Sequence, residues 1–295
     1  GPKGSMNTTL PASSGTSQDT RIIALIGTGH FLSHFYMLCL PPLFLVWREE
    51  FGASYAELGL AVALMSGTTA LLQTPVGFAV DRYGARPFLV GGTLIMALSI
   101  SAMAFAPGVW ALWLLAILSG VGNSVIHPAD YAILAGSIRQ ERMGRAFAMH
   151  TFTGNLGFAL APPVVALLMT VMGWREALLL VGLLGVPVVG AILLQSRVLK
   201  DQGKPKNAAE AGQSGRELLL SRPMLLFFAF FLLSASAGSG IQAFVITVMG
   251  KLWATPIATA SMVLTGYMVG ATGGTLVGGW VVDRAKGGGL MGFVT

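Results

Sequence analysis

The stretch GNSVIHPADYAIL, residues 122–134, sets Asn123, His127, Pro128, Asp130 and Tyr131 inside a long apolar run. Such side chains can hold a proton, bind a solute or orient one another, and histidine alone has an unperturbed pKa near neutrality. The chain has four histidines, and all of them fall in apolar runs: His30, His34, His127 and His150. His30 and His34 are one helical turn apart and share a face. Asn123, His127 and Tyr131 form a second stripe, with Asp130 at its edge. Two readings stand for the imidazoles. They form a proton or substrate site, the usual role of ionisable groups inside a membrane, or they hydrogen-bond across helix interfaces and hold them together. His150 lies in a small-residue stripe with Thr153, Gly154, Gly157 and Ala161, which favours packing.

The elements that carry these residues are membrane helices. The chain is 54% hydrophobic and only 10% charged, against about 25% charged in soluble domains, and its mean hydropathy is +0.73. That excludes a soluble globular reading and marks an all-α polytopic membrane protein. A helix needs roughly 20 residues to cross the hydrocarbon. Eight runs qualify, near 22–46, 57–80, 87–106, 109–136, 145–171, 174–195, 223–250 and 257–281. The polar stretch 196–222 is the one domain boundary, so the expected organisation is a tail (1–20), a first unit (21–195), a linker (196–222) and a second unit (223–295). GPKGSM at the start has the composition of a protease-site and vector remnant, with Met6 as the expected native start, and residues 7–20 read as disordered. The first apolar run is too long for a cleavable signal peptide.

The net charge of +6 does not point to nucleic acid, because the basic residues are scattered with no basic stripe or interleaved aromatics. They sort by side instead. Taking alternate loops, 15 Lys and Arg fall on one side and only Arg48, Arg175 and Lys251 on the other. The positive-inside rule therefore puts the N-terminus in the cytoplasm. A lone cysteine, Cys39, excludes an internal disulfide and a cysteine-cluster metal site. No cofactor and no metal site is expected. At 1.5 Å per residue, His30 lies about 12 Å in from the cytoplasmic side, His34 about 18 Å and His127 about 14 Å. Pro128 should kink the fourth helix and free the carbonyl of Ser124. Pro41-Pro42 and Pro162-Pro163 are further expected kinks.

The motif Gly-x-x-x-Asp-Arg occurs twice, from Gly77 to Arg82 and from Gly279 to Arg284, each time after the second helix of a half. Extended as Gly77-x-x-x-Asp81-Arg82-x-Gly84-x-Arg86, it resembles the loop signature of the major facilitator superfamily, with a degenerate copy at Asp283-Arg284. GWREALL at 173–179 is similar to that family's opening of the sixth helix. GNSVIHPAD and GNLGFALAPP look like its branch of fosmidomycin-resistance-type exporters and uncharacterised bacterial relatives. The resemblance implies two parallel six-helix halves, here a complete N-terminal half plus the first two helices of a second, truncated relative to twelve. It also implies that helices one and four line a central cavity, so the two histidine stripes face each other. It further implies a latch, Asp130 with Arg86, that stabilises the outward-open state; a proton carried on Asp130 is the alternative. Asp81 would face an eleventh helix. Two departures stand against standard drug–proton antiport: Ala116 occupies the position of that group's helix-four arginine, and GFALAPPVVA (157–166) keeps only part of its helix-five motif.

The function these readings favour is secondary active transport of a small organic solute or drug across the bacterial inner membrane by alternating access, with proton-coupled efflux leading. The partners are a small-molecule substrate, protons and the lipid bilayer. A non-transporting solute sensor on the same scaffold is the alternative. No His-box, Gly-x-Ser-x-Gly or paired carboxylate on one loop supports an enzyme, and no phosphate-binding Gly-rich loop supports an ATP-driven pump. The charge split gives a direct test of topology. An impermeant thiol reagent applied to intact cells should label a cysteine placed at Lys251 and leave one at Lys204 unlabelled; equal labelling of both would break the helix count.

Overall fold

The computed structural model describes residues 14–200 and 220–284, except for the side chains of 14–16, 140, 141 and 275–284. Among the described residues the chain is helical with no strand. The helices are α1 (Ser14–Leu38), α2 (Phe44–Phe51), α3 (Tyr55–Tyr83), α4 (Ala85–Met103), α5 (Val109–Asn123), α6 (Ile126–Ser137), α7 (Gln140–Val171), α8 (Trp174–Leu183), α9 (Gly185–Leu194), α10 (Arg222–Trp253) and α11 (Ile257–Arg284). Seven described stretches are long and apolar enough to cross a membrane. They correspond to the first seven expected runs, and the eighth run lies within α11. The helical span starts earlier than the apolar pattern: α1 begins at Ser14, and Asp19 bonds to Arg142 at 2.8 Å. Residues 201–219 of the expected linker lie outside the described residues.

Three spans are broken, each near proline. A 3₁₀ turn at Pro41–Leu43 separates α1 from α2. The fourth span breaks at Ser124–Val125, between α5 and α6, where Pro128 cannot donate to the carbonyl one turn back. The sixth breaks at Leu184, ahead of Pro187, a break absent from the sequence-based expectations. There the Tyr36 hydroxyl, fully buried, donates to the Gly182 carbonyl at 2.9 Å. A side chain inserted into the helical ladder in this way is a usual cause of a kink. The fifth span stays one helix, α7, which continues through Pro162 and Pro163. Pro163 has no N–H for the carbonyl of Ala159, and the Thr265 hydroxyl of α11 donates to that oxygen instead.

The bundle is closed at one end by the GWREALL segment. Trp174 Nε1 donates to Glu50 Oε2 at 2.5 Å, and Arg175 donates to Glu50 Oε1 at 2.6 Å and to the Ala104 carbonyl at 2.7 Å. These bonds join α2, α8 and the turn after α4. At the other end, Gly84 connects α3 to α4 with φ +91°, a region that side-chain-bearing residues avoid. Ser54 caps α3 in a reciprocal capping box with Glu57.

Helices α1 and α7 pack closely through glycine. A Cβ added at Gly157 would lie 2.3 Å from the Phe31 carbonyl oxygen, and one at Gly154 would lie 2.5 Å from the His30 ring. The expected small-residue stripe thus lets two backbones meet, as small residues do in membrane bundles. Gly157→Leu should therefore destabilise the detergent-solubilised protein by about 1–3 kcal/mol, the usual cost of overpacking. Gly190→Ala, where no atom lies within 4 Å of the added carbon, should be neutral. Thermal denaturation of the two variants against wild type decides it, and equal stability would contradict the contact.

Candidate functional site

Three helices meet around the histidines. The small residues on α7 bring α1 close, so His30 and His34 project onto α7 beside His150. Pro128 and the break before it turn α6 inward and carry His127, Asp130 and Tyr131 to the same place. His30 stacks on His150 with ring centroids 3.7 Å apart and an interplanar angle of 11°. His30 also lies 4.3 Å from His34 and 5.0 Å from His127. His34 and His127 are 5.8 Å apart. All four histidines of the chain thus form one cluster. Its open side is Tyr131, which is 45% exposed and whose ring is 5.7 Å from His127 and 5.6 Å from His150.

His150 is the centre of this arrangement rather than a peripheral packing residue. Its Nε2 shares a hydrogen bond of 2.9 Å with Asp130 Oδ2, and its backbone carbonyl pairs with His30 Nδ1 at 2.8 Å. Asp130 is fully buried. The expected latch with Arg86 concerns the outward-open state; in this structure the partner of Asp130 is His150, one helix over, and no ion pair joins Asp130 to Arg86 among the described residues. The reason is burial. A carboxylate with no exposure needs a donor at its own depth, which α7 supplies, while Arg86 sits at the start of α4. Arg86 is half-buried, with its Nε unpartnered. Asp81 and Arg82 are exposed, the Arg82 guanidinium lying 5.3 Å over the Tyr83 ring. Gly77 has open space around it. The degenerate copy, Asp283 and Arg284, ends α11, and its side chains lie outside those described.

Asn123 makes its contacts elsewhere. It does not join the imidazoles. Its Nδ2 donates to Thr69 Oγ1 at 3.3 Å and to Met37 Sδ at 3.2 Å, which ties α5 to α3 and α1. The break at Ser124–Val125 separates it from His127 and rotates the two onto different surfaces. Phe158, by contrast, was not singled out from the sequence. Its ring lies 4.2 Å from His34 and lines two cavities beside α10 and α11, one of about 190 Å³ with Asn155, Gln242 and Tyr267. The signal was available, since Phe158 is one turn beyond Gly154 on the helix that carries His150.

Several buried polar atoms here have no protein partner: His30 Nε2, His34 Nδ1, His127 Nδ1 and Asp130 Oδ1. Each such atom costs about 1–3 kcal/mol when buried and left unsatisfied.

The sequence profile of the Major Facilitator Superfamily matches residues 26–295. The fosmidomycin resistance protein of Escherichia coli (strain K12) is 24% identical over 269 residues, which is 89% of this chain and 65% of that protein. The multidrug resistance protein MdtH of Klebsiella pneumoniae (strain 342) is 31% identical over 122 residues, 41% of this chain and 30% of that protein. Among solved structures, a bacterial homologue of the human lysosomal transporter Spinster superposes with a TM-score of 0.77 at 15% identity, covering 91% of this chain and 63% of that one. A variant of the nucleoside transporter NupG gives 0.73 at 16% identity, covering 91% and 69%. The chain thus spans under two thirds of the length of these curated relatives.

The Asp130–His150 bond makes a quantitative prediction. In a stability cycle, Asp130→Asn with His150→Gln should show a coupling of about 1 kcal/mol or more, whereas Asp130→Asn with Arg86→Ala should add within about 0.5 kcal/mol. Coupling in the second cycle and additivity in the first would restore the latch to Arg86.

Proposed function

From the premise that this chain belongs to the Major Facilitator Superfamily, we propose that it is a secondary active transporter. It moves a small organic solute or drug across the bacterial inner membrane by alternating access, with its N-terminus in the cytoplasm and proton-coupled efflux as its direction. The observation that carries the reading is the single cluster of His30, His34, His127 and His150 with Asp130, built from three different helices at one depth. Transporter sites lie at such junctions of discontinuous helices near mid-membrane. The fosmidomycin and multidrug resistance relatives favour export of a small molecule. The loop motif Gly77, Asp81, Arg82, Gly84 and Arg86 takes the gating role, with Asp283 and Arg284 as its counterpart.

In this reading the imidazoles carry the coupling proton and Tyr131 faces the solute. Asp130 orients His150 through the 2.9 Å bond, so a change at the histidine is felt on α6. Glutamine keeps the size and hydrogen bonding of histidine but cannot take up a proton. Protein reconstituted in vesicles, with fosmidomycin as the first probe, should lose pH-gradient-driven accumulation in His127→Gln and keep exchange at equal pH. His30→Gln and His34→Gln belong beside it. If all three variants respond to the gradient as wild type does, the coupling role is refuted; if no probe in a drug and metabolite panel moves, transport itself is.

A further inference from the structure

We propose that His30, His127 and His150 form a binding site for a divalent transition metal of the zinc class. One ring nitrogen from each of the three can be chosen so that all lie within 4.8 Å of one another. Zinc–imidazole bonds of about 2.0–2.1 Å in a tetrahedron set ligand nitrogens about 3.4 Å apart, so a ring movement on the order of 1 Å closes the site. Three imidazoles with a fourth position left open form a known zinc ligand set. His30 Nε2 and His127 Nδ1, two nitrogens free to coordinate, have no protein partner. His30 is only 3% exposed, so its unpartnered nitrogen points into the cluster rather than to solvent.

The surroundings fit a metal better than they fit an organic solute. His30 Nδ1 is held by the His150 backbone carbonyl and His150 Nε2 by Asp130. Carbonyl and carboxylate contacts on the far nitrogen fix ring orientation at metal-bound histidines. Asp130 also brings the one carboxylate at this depth, beside an ion of charge +2. Oxygen-seeking cations are excluded by the donor set, since imidazole suits zinc, copper, nickel and iron rather than magnesium or calcium. His34 lies outside the three-nitrogen group and packs on Phe158 instead. A sequence search for metal motifs misses this site because its ligands come from α1, α6 and α7, with no paired spacing between them.

The proposal concerns the cluster on which the transport reading rests, and it names a ligand for it. Binding is measured without transport, however, so either can fail alone. The chain's four histidines are all in this cluster, and a tag-free, chelator-stripped sample in detergent carries no other imidazole. Titration with zinc should show one ion per chain, undisturbed by millimolar magnesium. Cobalt(II) should give the intense visible absorption of a four-coordinate site. His30→Gln and His127→Gln should each weaken zinc binding by at least about tenfold. Asp130→Asn should weaken it about 10–100-fold, the usual effect of losing a carboxylate behind a ligand, while His34→Gln and Arg86→Ala should leave it unchanged. Absence of stoichiometric zinc binding by the wild-type chain would overturn the proposal, as would wild-type affinity in both His30→Gln and His127→Gln. The cobalt spectrum of the wild type decides the matter even where a variant fails to fold, because a weak six-coordinate spectrum would overturn the four-coordinate site proposed.

Discussion

The contact between α1 and α7 is the constraint that shapes the interior of this protein. Gly154 and Gly157 remove two side chains at the crossing, and the backbones come within reach of one another. The space thus left at Gly154 is filled by the His30 and His34 rings, which explains why two imidazoles of α1 stand against a third on α7. With any larger residue at these two positions the helices would separate, and His30 could not reach the carbonyl of His150. In hydrocarbon no water replaces such a bond, so polar groups must be supplied with partners by the geometry of helix packing itself.

Proline does the second part of the work. In the first, fourth and sixth spans a proline leaves the helical ladder incomplete, and each break redirects the helix on its far side. The one at Ser124–Val125 matters most for the site. It sends Asn123 to a contact with α3 and α1, and it turns His127, Asp130 and Tyr131 toward α7. One stripe in the sequence therefore meets two sets of partners in the structure, Thr69 and Met37 for Asn123 and the histidine cluster for His127 and Asp130.

The helical runs, the kink beside Pro128 and the common depth of His30 and His127 were legible from spacing, since periodicity and depth are local properties of a chain; that the two stripes face each other came from the resemblance to the family. The bond from Asp130 to His150 was not legible, because it required knowing that α7 lies against α6 at the level of a carboxylate with no exposure. The break at Leu184 carried a local signal in Pro187, but the hydroxyl that stabilises it comes from Tyr36, far away in the chain. The role of Arg175 was likewise hidden: the motif was recognisable as a family habit, while its bonds to Glu50 and to the turn after α4 are tertiary. Motifs that act through neighbours in space leave only their residue types in the sequence.

Pro163 and Thr265 give the seam between the two units its character. Proline exposes the Ala159 carbonyl without breaking α7, and the hydroxyl of α11 fills it. A bond of this kind contributes only about 1 kcal/mol net, so it indexes α11 against α7 without welding the two together. The same turn of α7 that accepts this bond at Ala159 holds Phe158 against His34, so the seam and one wall of the histidine cluster share a single turn of helix.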